Sequence, residues 1–124
     1  MNLLIAFSLP FEVPSQNKTM RAHWGVISRQ NKNWYMALKC MLSMHIDMDI
    51  VPAKTKRKVE IIAYRKRLIT DHANLVGGGA KGLVDALVRA ELLVDDSDRW
   101  CEITYRQKQD SVPQTLIEIW EKTP

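Results

Sequence analysis

Apolar residues recur along the chain with two different periods, and together they predict six elements. β-branched and alternating stretches, typical of strands, occupy residues 3–9, 58–65, 100–106 and 115–120. Apolar positions spaced by three and four, typical of helices, occupy residues 28–44 and 83–88. The order β-α-β-α-β-β predicts an α+β fold, a small mixed sheet with two helices packed on one face. The last two strands are predicted to pair as an antiparallel hairpin, because only the polar turn 107–113 separates them.

The two predicted helices differ in how they begin. Ser28 is the predicted N-cap of the first helix. The apolar stripe that follows is assigned to the core: Trp34, Leu38, Met41 and Leu42. Before the second helix stand three consecutive glycines at positions 77–79, each of which would cost about 1 kcal/mol relative to Ala inside a helix. We therefore expect these glycines to form a loop that leads into the helix, on which Lys81 and Asp85 share one face.

Acidic residues surround the second helix. Asp71 precedes it, Asp85 lies within it four residues after Lys81, and three aspartates follow it between positions 95 and 98. A helix of about ten residues is about 15 Å long, so acids at its two ends meet only if the chain folds back. Carboxylates gathered in this way repel one another unless a cation lies among them, and Mg²⁺ prefers such oxygen ligands. The pattern predicts a magnesium site, although each acid taken singly is also a common turn former.

The same residues match a known signature in order and spacing. Asp71, Asn74 and Leu75 come first, Lys81 follows four positions before Asp85-Ala86-Leu87, and Asp95-Asp96 close the segment. Upstream lie Leu9-Pro10, Pro14-Ser15 and Asn17-Lys18. In these features the chain resembles the RusA-like Holliday junction resolvases, whose signature is Asp-x-Asp-Asn-Leu, a Lys, an Asp-Ala-Leu helix and a terminal Asp-Asp pair. The resemblance covers most of the 124 residues.

The resemblance implies a single endonuclease domain over residues 1–124 that cuts Holliday junctions and other branched DNA in recombination and repair. It implies a homodimer with one site per subunit, and it suggests a phage origin, since phages often encode such enzymes. Catalytic roles fall to Asp71, Lys81 and Asp96, and Mg²⁺ ligation falls to Asp71, Asp96 and Asp95. Lys81 would stabilise the transition state as a point charge.

The chain departs from the family pattern at Ala73, which stands where the second aspartate of the signature belongs. The loop that carries the glycines is also longer. Asn74 and Asp85 are assigned supporting roles, and Asp85, Asp95 or Asp98 could supply the missing carboxylate. One alternative is a catalytically weakened module that binds junction DNA without cutting it. Another is an unrelated α+β domain that binds neither junctions nor Mg²⁺.

Basic residues are concentrated in two places. Seven of the 18 Lys and Arg residues lie within positions 54–67, where the second strand is expected to deliver the last of them to the edge of the acidic loop. The loop after the first strand is also basic. The net charge of +4 is modest, but a basic surface beside an acidic site suits a polyanion cleaved at a phosphate. We predict nucleic-acid contacts for six residues: Asn17, Lys18, Arg21, Arg65, Lys66 and Arg67.

Several other classes of protein are disfavoured. No apolar run is long enough to span a bilayer, and residues 1–7, which lack a basic flank, are predicted to form a strand rather than a signal peptide. We expect a cytoplasmic protein with no membrane partner and no small-molecule cofactor. Cys40 and Cys101 form no CxxC pair and are predicted to be inert packing thiols. A zinc site that uses histidines 23, 45 and 72 lacks ligands at a standard spacing.

Overall fold

The structure is a computed structural model that describes residues 2–11, 24–44, 53–68 and 79–121. Within these ranges the chain forms four strands and two helices in the predicted order. The strands are β1 (Asn2–Leu9), β2 (Arg57–Arg65), β3 (Cys101–Gln109) and β4 (Gln114–Glu121), and the helices are α1 (Trp24–Met44) and α2 (Gly79–Arg89). The α+β fold class is therefore confirmed.

The four strands form one mixed sheet in the order β1-β4-β2-β3. β4 is antiparallel to both β1 and β2, whereas β3 is parallel to β2. Because β2 lies between β3 and β4, the predicted β3–β4 hairpin is wrong. Ile117 of the apolar β4 pairs with Phe7 on one side and Ile61 on the other, which places β4 in the interior of the sheet. β3 carries the exposed Arg106 and Lys108, and it lies at the edge, where charged side chains discourage pairing with another chain.

Both helices pack on the same face of the sheet and share one hydrophobic core. Trp34 and Leu38 of α1 and Leu83 and Leu87 of α2 are buried in it. The strand residues that alternate toward the helices complete the cluster: Ile5, Phe7, Val59, Ile61, Ala63, Ile117 and Ile119. Burying one such Leu or Ile side chain contributes about 1.5–3 kcal/mol. The predicted apolar faces of both helices and of β2 are confirmed.

The residues that alternate away from the helices form the other face of the sheet, called the open face below. Lys58 and Glu60 of β2 lie on it, as do Arg106 and Lys108 of β3. Arg106 Nη2 lies 2.9 Å from Glu60 Oε1. Because this ion pair is largely exposed, it contributes about 0–1 kcal/mol. The open face is therefore a mixed-charge surface on the side of the sheet opposite both helices.

Element boundaries differ from the prediction in three places. α1 begins at Trp24, four residues before the predicted cap Ser28, since a cap contributes only about 1 kcal/mol and does not fix a boundary against the rest of the fold. α2 begins at Gly79, which the sequence predicts to be loop. β3 continues to Gln109, through residues predicted as turn. Neither helix of the described ranges is both long and apolar enough to cross a membrane.

The contact between α1 and α2 explains a glycine inside a helix. A Cβ atom added at Gly82 would collide with the side-chain amide of Asn31 and would meet Trp34 at 3.7 Å. A methyl group at Gly82 would therefore displace the side chain of Asn31, which opposes the gain in helix propensity of about 1 kcal/mol that alanine would bring.

Candidate functional site

The parallel pairing of β2 and β3 brings the acidic residues to one end of the sheet. α2 returns the chain to the end of the sheet where β2 starts, as a parallel crossover requires. Cys101, the first residue of β3, is consequently level with Arg57, the first residue of β2. The segment 91–100, called the acidic turn below, joins α2 to β3 and carries Asp95, Asp96 and Asp98, all exposed.

Residues 53–57, which lead into β2, form backbone hydrogen bonds with both ends of the acidic turn. The backbone N–H of Ala53 donates to Glu91 O at 2.8 Å, and the N–H of Arg57 donates to Trp100 O at 3.2 Å. Within the turn, the N–H groups of Trp100 and Cys101 both donate to Ser97 O, at 2.9 and 3.0 Å. These bonds hold the backbone on both sides of the aspartates to the body of the fold.

The side chain of Arg57 supplies a further attachment. Its Nη1 donates to Leu92 O at 2.9 Å, and its Nη2 lies 3.6 Å from Glu121 Oε1. The hydroxyl of Thr55 donates to the same carboxylate oxygen at 3.4 Å. Arg57 is only 1% exposed, so its expected place in a basic surface cluster is wrong, because its guanidinium binds Leu92 O and pairs with the carboxylate of Glu121.

Asp85 and Asp96, which are far apart in the sequence around α2, interact electrostatically. Burial raises the pKa of Asp85 above its ordinary value, Lys81 lowers it, and the carboxylate of Asp96 raises it. Lys81 and Asp85 are one helical turn apart on α2, as predicted, and both are exposed. The site therefore combines one cation and two carboxylates from α2 and the acidic turn.

Two residues of β3 border the same site. Burial raises the pKa of the Cys101 thiol, the aspartates of the acidic turn raise it further, and Lys56 lowers it. Burial likewise raises the pKa of Tyr105, with Cys101 and Asp96 adding to the effect. Asp96 thus acts on groups of both α2 and β3. Tyr105 is not among the site residues predicted from the sequence, although its position four residues after Cys101 places both on the same face of a strand.

The described donors suit Mg²⁺ in their chemistry, since carboxylate oxygens are its preferred protein ligands. The repulsion between Asp96 and Asp85 is the kind of excess negative charge that a bound cation offsets. Among the residues that the structure describes, no three His, Cys, Asp or Glu side chains converge closely enough to hold a metal ion. Asp71, one of the three predicted ligands beside Asp95 and Asp96, lies outside those residues.

The predicted basic contacts of β2 lie at the other end of the sheet from the acidic turn. Arg65 ends β2, and its Nε donates to Arg67 O at 3.0 Å, with Lys66 exposed between them. Eight strand steps separate Arg65 from Arg57, about 26 Å at 3.3 Å per residue. The cation that acts on the end of β3 beside the acidic turn is Lys56. The 65–67 cluster is therefore remote from the acidic turn, whereas the Asp71 loop, beside which it is predicted to lie, falls outside the described residues.

Most of the remaining predicted residues lie outside the described ranges, and the two cysteines lie within them. The following fall outside the described residues: Asp71, Asn74, Asn17, Lys18, Arg21 and the three histidines. Of the two cysteines, Cys101 is buried, as expected of a packing thiol, whereas Cys40 is exposed on α1. The prediction that Cys40 packs in an apolar environment is wrong, because the exposed side of the amphipathic helix carries it.

The chain matches no protein-family model, and no curated protein is significantly similar to it.

Proposed function

We propose that this chain is a Mg²⁺-dependent endonuclease of the RusA-like type that cuts Holliday junctions and other branched DNA as a homodimer. The observation that carries the proposal is that Asp96 of the acidic turn acts electrostatically on Asp85, which shares one face of α2 with Lys81. These are residues of the resolvase-like signature, separated by up to 15 positions in the sequence.

Each residue of the site has a definite task under this proposal. Asp96, with Asp95 and Asp71, would hold Mg²⁺, which when bound would supply a Lewis acid for the phosphate and an activated water. Lys81 stabilises the negative charge that develops on the phosphoryl oxygens or on the leaving oxygen. Asp85 orients Lys81 from one helical turn away, and Asn74 orients a ligand of the loop.

The attachment of the acidic turn has a chemical consequence. Electrostatic catalysis depends on charged groups that are already in place when the reaction begins. The bonds from Ala53 and Arg57 to the backbone of the turn, at 2.8 to 3.2 Å, restrict the movement of the aspartates between them. The backbone on both sides of the acids is therefore already held in place when substrate arrives.

The distance between the acidic and basic ends of β2 is compatible with a DNA substrate. About 26 Å of strand corresponds to roughly eight base pairs of duplex at 3.4 Å each. Arg65, Lys66 and Arg67 would then contact phosphates of an arm away from the scissile bond, and Asn17, Lys18 and Arg21 would add contacts from the loop after β1. Such contacts strengthen binding without specifying sequence.

The second candidate is a junction-binding module that has lost cleavage, and Ala73 is the observation that favours it. The Ala73→Asp variant distinguishes the two, because it restores the carboxylate of the signature. If Asp85 or Asp98 already compensates, this variant cleaves junctions no more than about tenfold faster than the natural chain. If the natural chain is a binding module, cleavage is detected only in the variant.

The test of the proposal is the cleavage of a labelled synthetic four-way junction, with Mg²⁺ and with EDTA, beside a linear duplex of matched sequence. We expect paired nicks at symmetric positions of the junction in Mg²⁺ only, and little cutting of the duplex. Cutting that persists in EDTA would refute a metal-dependent mechanism. The absence of both cleavage and junction binding would refute the proposal as a whole.

A further inference from the structure

The exposed side of α1 carries a set of cations that no part of the proposed site uses. This helix of 21 residues contains three charged residues, Arg29, Lys32 and Lys39, and no acid. All three are exposed. At 100° and 1.5 Å per residue they fall within about 80° of the helix circumference and span about 15 Å of its length. The helix therefore presents a one-sided positive stripe.

α2 adds a fourth cation to this stripe. The guanidinium of Arg89 lies 3.9 Å from the centroid of the Tyr35 ring, and Lys39 Nζ lies 5.6 Å from the same centroid. The two positive groups are thus within about 10 Å of each other, about one Debye length at 0.1 M salt. The aromatic ring attracts both but leaves their net charge in place. We call the group formed by Arg29, Lys32, Lys39 and Arg89 the cation strip.

The cation strip is joined to the candidate site by one face of α2. Lys81, Asp85 and Arg89 are spaced by four residues, so they follow one another along that face, and all three are exposed. Near Lys81, α1 also approaches α2 closely, because Asn31 of α1 contacts Gly82 of α2. A ligand that lies on the helices can therefore contact the strip and reach Lys81 without crossing the sheet.

We infer that the cation strip binds the sugar–phosphate backbone of the DNA arm that flanks the cleavage point. This inference rests on the proposed function, and it assigns residues that the resolvase-like signature does not contain. The occupant follows from charge complementarity, because an all-cationic helix face fits a polyanion. The length fits as well, since about 15 Å of duplex axis presents roughly four phosphates of one strand at 3.4 Å each.

The experiment measures the affinity of the full-length protein for a labelled four-way junction by fluorescence anisotropy, in EDTA, over a series of salt concentrations. The strip variant is Lys32→Gln with Lys39→Gln. The matched control is Arg106→Gln with Lys108→Gln, which removes the same charge from two exposed residues of the open face, on the other side of the sheet. A second version of the strip variant, Lys32→Arg with Lys39→Arg, keeps the charge and controls for folding.

We expect the slope of log affinity against log salt to become shallower by up to about 1.8 in the strip variant, because each lost phosphate contact contributes about 0.9. At 0.1 M salt its affinity should fall at least tenfold. The control should keep the slope of the natural protein, and the arginine version should bind normally. Adding Arg89→Gln to the strip variant should reduce the slope again.

Equal losses in the strip variant and the open-face control would overturn the inference, since net charge alone would then explain binding. An unchanged slope in the strip variant would overturn it as well. Cleavage is measured separately in Mg²⁺, so the two proposals can fail independently. If binding depends on the cation strip but no cleavage occurs, the nuclease proposal is refuted and the inference about the strip stands. If the strip variant cleaves and binds normally, only the inference about the strip is refuted.

Discussion

Replacement of Arg57 by Met tests whether this buried guanidinium holds the acidic turn in place. Arg57 is 1% exposed and donates from Nη1 to Leu92 O at 2.9 Å. Met has a similar apolar length but no donor. The substitution therefore leaves the carbonyl oxygen of Leu92 without this charged partner at the start of the turn.

The magnitude follows from the environment of each partner. A hydrogen bond to a charged donor contributes about 1.5–3 kcal/mol. The ion pair with Glu121 adds about 0–1 kcal/mol, because the carboxylate side chain is 36% exposed and regains water when the pair is broken. Removal of the guanidinium also relieves its desolvation, which places the expected net loss near the lower end, at about 2 kcal/mol. At roughly 4 °C per kcal/mol for a chain of this size, the melting temperature should fall by about 8 °C.

The assay is urea unfolding of the Arg57→Met and Glu121→Gln variants, followed by circular dichroism and tryptophan fluorescence. We expect Glu121→Gln to cost less than about 1 kcal/mol, so the larger effect isolates the bond to Leu92. In the proposed nuclease, Arg57→Met should also lower the cleavage rate more than substrate affinity, measured at a temperature where the variant is folded. Equal losses of stability in the two variants would refute the assignment of the bond to Leu92 as the main contribution.

Three further predictions follow from burial and charge. Asp85→Asn should raise the free energy of unfolding at pH 7 but not at pH 3. Burial raises the pKa of Asp85 in the folded state above its unfolded value. The ionised carboxylate therefore opposes folding above the unfolded pKa, and the protonated form below it does not. Urea unfolding at the two pH values tests this, and a loss of stability at pH 7 would contradict it. Iodoacetamide should label the exposed Cys40 of the native protein and spare the buried Cys101, whose raised pKa also suppresses its thiolate. Mass spectrometry distinguishes them, and equal labelling would contradict the burial. Gly82→Ala should stabilise the protein by about 1 kcal/mol in an Asn31→Ala background, which is the helix propensity difference, and by less in the natural chain, where the side-chain amide of Asn31 blocks the new methyl group. Additive effects in a double-mutant cycle would contradict the contact.

The element types could be predicted from periodicity because the core obeys it closely. The apolar positions of α2 and the alternation of β2 both point at buried residues, such as Leu83, Leu87 and Ile61. Strand pairing could not be predicted in the same way. A short polar connection before β4 favours a hairpin locally, whereas the sheet places β4 between β1 and β2, where its core-facing Ile117 and Ile119 are fully buried.

The candidate site was predictable as a set of residues but not as a geometry. The spacing of Lys81 and Asp85 fixes their relation, since both lie on one helix face. The interaction of Asp96 with Asp85 depends on the parallel crossover, which is a property of the whole sheet. Arg57 illustrates the opposite limit: within a run of basic residues its sequence position suggests a surface charge, and only the packing of β2 against the acidic turn buries it.

The most direct test of the central claim is a comparison of junction cleavage rates in Mg²⁺ for the natural chain, Asp96→Asn, Lys81→Met and Glu102→Gln. Glu102 is an exposed acid of β3 that follows Cys101 and points to the open face, so it is the matched control. We expect Asp96→Asn and Lys81→Met each to lower the rate at least about 100-fold, as removal of a transition-state stabilising group does. Junction binding in EDTA should be retained in both, and Glu102→Gln should cleave at the natural rate. Cleavage at the natural rate in Asp96→Asn and Lys81→Met would contradict the assignment of the active site to α2 and the acidic turn.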